Sequence, residues 1–164
     1  MKRLAAFFAI ALLFSACSTT PKVSKKLPAQ EKKVSYKLHK QNFVTQALYR
    51  EYKRWAGVQY CYGGEDRQGM DCSALVQTIY KEAFNIKLPR TTKEQIKRGK
   101  RVSKKSLKEG DILFFKTSYN VLHTGIYLER GAFIHTSSKY GVILSNIHNP
   151  YWRAKYYTAR RILY

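Results

Sequence analysis

In this chain of 164 residues, one cysteine and two histidines stand where a nucleophile and its base could be assembled. Cys72 opens a run in which Leu75, Val76, Ile79, Tyr80 and Ala83 or Phe84 recur at helical spacing. A thiol in the first turn of a helix meets unpaired backbone N–H groups and the positive end of the helix dipole, which favour the thiolate. A small apolar cysteine also serves as plain packing there, so a nucleophilic reading needs a base. His39 falls in a polar N-terminal stretch, which leaves His123, His135 and His148.

Residues 123–128 and 132–137 read as the strands of a hairpin with Glu129-Arg130-Gly131 as its loop. That loop sets Leu128 opposite Ala132 and His123 opposite Ser137. His135 then lies diagonal to His123 on one face, and Ile126, Leu128 and Ile134 share the other. A slip of one residue would separate the histidines. In this register they form a base and its orienter beside Cys72. Zinc is the other use of one Cys and two His, and no closely spaced ligand pair favours it, so no metal or organic cofactor is expected.

These residues need elements to hold them. Phe43, Val44, Ala47, Leu48, Tyr52 and Trp55 mark a helix over residues 42–56 ended by Gly57, and Thr91-x-x-Glu94 is a capping-box signal for a short third helix. After Gly110 the texture turns β-branched and aromatic (DILFF, HTGIYLE, AFIHTS, GVILSNI, TARRIL), which reads as successive antiparallel strands. Helices followed by strands predict an α+β domain.

The chain has material for one such domain. Residues 1–16 run from Lys2 and Arg3 through an apolar stretch to small residues, the layout of a secretory signal. FSACS resembles the lipobox of bacterial lipoproteins, which implies a lipid on Cys17. Residues 17–40 are rich in Ser, Thr, Pro and Lys and are expected to form a flexible basic tether, leaving residues 41–164 as the folded domain. Net charge is +21. Such a field draws polyanions. In an exported lipoprotein these are envelope polymers and lipid head groups, and no RNP-like or C2H2 pattern supports nucleic acid.

GVQYCYGGEDRQGMDCSALV, LPRTTKEQ, GDILFF, HTGIYLE and FIHTS, in this order and at these separations, resemble the NlpC family of bacterial cell-wall cysteine endopeptidases. The resemblance covers residues 41–164. It implies a papain-like fold, helices packed on an antiparallel sheet of five to six strands, and hydrolysis of peptide bonds in peptidoglycan. By position it makes Cys72 the nucleophile, His123 the general base and His135 the residue that orients it. It also points the Tyr60 hydroxyl into the site, where that group is a candidate second oxyanion donor beside the Cys72 N–H. Ser73 and Arg90 are further oxyanion or substrate-binding candidates, Arg90 either pairing with a substrate carboxylate or standing as an exposed loop arginine.

Asp71 is expected to cap the helix, and Thr124 to point away from the catalytic face. The implied location is the envelope, lipid-anchored at the outer membrane, and the implied partner is peptidoglycan, with the protein a monomer. The cleaved bond is open between the γ-D-glutamyl link and the cross-link. A non-catalytic polymer-binding lipoprotein and a related cysteine amidase or acyltransferase remain as alternatives. Cys61 lies close enough in sequence to close a disulfide with Cys72, which would be a reversible off state.

Overall fold

The computed structural model describes residues 43–163. The expected signal, the lipidation at Cys17 and the tether all lie outside the described residues. Helix α1 (Phe43–Trp55) leads to a two-residue hairpin, β1 (Glu65–Asp66) and β2 (Gly69–Met70). Helices α2 (Cys72–Phe84) and α3 (Thr92–Gln95) follow, then strands β3 (Lys100–Val102), β4 (Ile112–Ser118), β5 (Val121–Tyr127), β6 (Ala132–Ser137) and β7 (Gly141–Asn146). A short helix α4 (Pro150–Lys155) runs into β8 (Tyr156–Arg161).

Helix α2 starts at Cys72 because Asp71 caps it, its side chain accepting from the Ala74 N–H. It stops at Asn85, whose left-handed backbone (φ 54°) turns the chain out. Thr91 caps α3 in the same manner, accepting from the Glu94 N–H. The α+β expectation holds: the six strands form one antiparallel sheet in the order β3-β8-β4-β5-β6-β7.

Strand alternation divides the core. Ile112, Phe114, Ile126 and Ile134 pack under α1 and α2 with Leu48, Leu75, Val76 and Ile79. Leu113, Phe115, Phe133 and Ala159 face the other way, into a second cluster with Ile147 that is covered by Trp152 and Tyr156.

Three elements were not expected from the sequence. The hairpin β1–β2 and strand β3 are too short to show periodicity. The six residues of α4 span less than two turns, although Asn149 as cap and Pro150 at the first position are a valid start signal.

Strand β8 is fastened to the sheet by Arg161, whose guanidinium donates twice to the buried Asp111 carboxylate at 2.8 and 2.7 Å. Removing one partner of such a pair strands the other. Arg161→Ala should cost about 3 kcal/mol, read as a lower urea midpoint at unchanged m-value; a shift within error would mean that β8 is held by its ladder alone.

Candidate active site

Cys72, His123 and His135 line one cavity of about 1050 Å³, together with Tyr60, Ser73 and Arg90. The hairpin register is the expected one. Leu128 N–H donates to the Ala132 carbonyl, and the ladder pairs Ile126 with Ile134 and Tyr127 with Phe133. This ladder comprises only those two pairs, so β5 and β6 part before His123 and His135, and the imidazoles bridge the gap. His123 Nε2 lies 3.0 Å from His135 Nδ1, and His135 Nε2 lies 2.9 Å from Ser145 Oγ on β7.

Aromatic rings wall this chain of contacts. Trp152 stacks on His123 at 5.5 Å and meets His135 edge-on at 4.9 Å, while Phe133 stacks on His135 at 5.0 Å. Burial therefore drives the His123 pKa down to about 4 and that of His135 well below its usual value. Both rings are neutral at physiological pH. Thr124 turns away, buried, its hydroxyl donating to the Leu113 carbonyl.

Cys72 is half-buried at the start of α2, its Sγ 4.0 Å from Thr92 Oγ1. The helix-start argument predicts a depressed pKa, and here the opposite holds. Burial pushes the thiol up against the hydrogen bonds from the Thr124 backbone and the Thr92 hydroxyl, and the Asp71 charge adds to the rise. Cys61 is exposed and also free, its Sγ directed at the Tyr62 carbonyl at 3.8 Å. The Tyr60 phenol is held above its usual value by burial first and then by the nearby Cys72 and Asp71. It stays protonated and can donate.

Arg90 and Ser73 are placed at the cavity but engaged with the protein itself. Arg90 grips Asp71 with two nitrogens at 3.0 and 2.7 Å, reaches Glu65 at 2.6 Å and donates to the Ser73 hydroxyl at 3.0 Å. Ser73 in turn donates to Asp71 at 2.9 Å. Burial alone would raise the Asp71 carboxyl; the hydrogen bonds from Arg90, the Ala74 N–H and Ser73 outweigh it and hold the group below the usual carboxylate range. Arg90 thus forms a clamp that ties the start of α2 to the β1–β2 hairpin.

Sequence reasoning missed Thr92, Ser145 and Trp152. None follows a residue pattern that marks it, and Trp152 sits on the unexpected α4. Among the described residues, no group of three or more His, Cys, Asp or Glu gathers as a metal site.

The sequence profile of the NlpC/P60 family matches residues 57–161. The murein DD-endopeptidase MepS/murein LD-carboxypeptidase of Escherichia coli (strain K12) is 36% identical over 168 residues, covering 94% of this chain and 89% of that protein. The gamma-DL-glutamyl hydrolase of Bacillus subtilis (strain 168) is 36% identical over 114 residues, which is 68% of this chain and 28% of that protein. A lipoprotein-like NLP/P60 family crystal structure from Staphylococcus aureus superposes with a TM-score of 0.67 at 29% identity, over 76% of this chain and 43% of that one.

A thiol pushed up and an imidazole pushed down to about 4, both lining one cavity, rest as neutral groups. Alkylation of Cys72 by iodoacetamide should therefore climb continuously from pH 6 to pH 9. A plateau of reactivity extending into acid would reveal a preformed thiolate–imidazolium pair instead.

Proposed function

Because this chain belongs to the NlpC/P60 family, we propose that it is a lipid-anchored peptidoglycan endopeptidase acting through Cys72, His123 and His135. The observation that carries the reading is the 3.0 Å contact between the two imidazoles in the cavity that Cys72 opens onto.

The contact supports one assignment of the nitrogen that does the chemistry. His123 Nε2 is occupied by His135, so Nδ1 is the nitrogen left to take the thiol proton. It can accept only if its ring carries hydrogen on Nε2. That hydrogen is donated to His135 Nδ1, and His135 must then carry its own on Nε2, donating to Ser145 Oγ. One direction of donation satisfies every group, and it leaves a base at His123.

When a stem peptide enters, Cys72 Sγ attacks the carbonyl carbon as its proton passes to His123. The developing oxyanion is met by the Cys72 N–H and the Tyr60 hydroxyl. His123 returns the proton to the leaving amine as the C–N bond breaks, and water then hydrolyses the thioester to release the acid and restore the thiol.

The near-complete coverage of the relative named murein DD-endopeptidase supports the cross-link between stem peptides as the bond cut. The lipobox-like FSACS supports an anchor at Cys17 and an outer-membrane position facing the wall. The run from Lys97 to Lys108 carries Lys97, Arg98, Lys100, Arg101, Lys104, Lys105 and Lys108 with no acid between them, which supports adhesion to anionic envelope polymers.

Digestion of purified peptidoglycan tests the reading. Wild type should release peptides whose new termini lie at the cross-link, and Cys72→Ala should lose at least about 10³-fold in rate. Equal release by the variant would leave only a polymer-binding role. Ser145→Ala should lower kcat roughly fivefold with KM unchanged, since it ends the donor chain without touching substrate.

A further inference from the structure

The cleft contains four charged side chains besides its histidines: Glu65, Asp71, Arg90 and Lys93. Three of them are tied together, since Arg90 holds both Asp71 and Glu65, which leaves that group one negative charge in excess. Glu94, the next acidic residue along the chain, accepts the Thr91 hydroxyl at 2.7 Å. Lys93 is exposed, lines the cavity and has no carboxylate partner among the described residues. It is the uncommitted charge of the site.

Its position is set by its neighbour. Thr92 touches the nucleophile, Oγ1 to Sγ 4.0 Å, and consecutive Cα atoms are about 3.8 Å apart. A lysine rooted there, on the wall of the same cavity, stands within side-chain reach of a substrate residue near the bond under attack. Stem peptides place a free carboxylate close to either candidate bond: the α-carboxylate of a γ-linked glutamate, or the side-chain carboxylate of the diamino acid.

We propose that Lys93 recognises a free carboxylate on the substrate residue adjacent to the scissile bond, so that the enzyme discriminates free-acid stem peptides from amidated ones. The inference rests on the endopeptidase reading above. It assigns to Lys93 the recognition that the sequence pattern implied for Arg90.

The experiment compares synthetic cross-linked stem peptides that carry either the carboxylate or its primary amide. Wild type should show roughly three- to fivefold higher kcat/KM for the acid, expressed in KM, and the gap should shrink as KCl is raised. Lys93→Gln should bring the acid down to the value wild type shows for the amide, and Lys93→Arg should keep the preference.

Equal rates for the two peptides with wild type would overturn the proposal, as would a Lys93→Gln loss shared by both. Calorimetric binding of the same peptides to Cys72→Ala, with and without Lys93→Gln, separates this from the chemistry. A preference seen in binding, with no turnover by wild type, would uphold Lys93 and overturn the endopeptidase reading. No preference in binding would overturn the role of Lys93 whatever the turnover.

Discussion

Two imidazoles 3.0 Å apart beside aromatic rings rest uncharged, and much of this molecule follows from that resting state. The enclosure is built from distant pieces of chain: Phe115 on β4, Phe133 on β6 and Trp152 on α4. The second hydrophobic cluster is therefore more than ballast on the back of the sheet. It sets the protonation state of the two imidazoles.

The Cys72 thiol is placed by a different kind of interaction. Asp71 caps the helix that Cys72 opens, and the same carboxylate receives both arms of Arg90. Arg90 also reaches the Gly64 carbonyl and Glu65, so the helix start cannot shift without moving the hairpin. Gln95 adds a further tie, donating to the Ser73 carbonyl from a buried position. An apolar wall for the imidazoles and a charged clamp for the thiol meet at one cleft.

What was readable in the sequence is what short-range geometry dictates. The register of the histidine hairpin follows from its loop, where Arg130 and Gly131 both take left-handed backbone (φ 49° and 86°), and from strict alternation on either side. The start of α2 follows from Asp71. What escaped depends on contacts between remote segments. An arginine in a loop looks the same in sequence whether its partner is a substrate or Asp71. A thiol at a helix start looks activated until the depth of its burial is known, and here burial wins. Nothing in the alternation of residues 156–161 says that this strand lies between β3 and β4.

That last placement shapes how the sheet can come together. Lys100 pairs with Arg161, and Leu113 with Ala159, so the two ladders flanking β8 join segments more than forty residues apart. Such pairings form late, after the entropy of closing long loops has been met. Until β8 arrives, β3 has no strand to pair with, and Trp152, which lies just ahead of that strand, has not closed over the histidines. Assembly of the sheet and maturation of the cleft are thus one event, and a proteolytic cut ahead of β8 would split the sheet through its interior, not trim an edge.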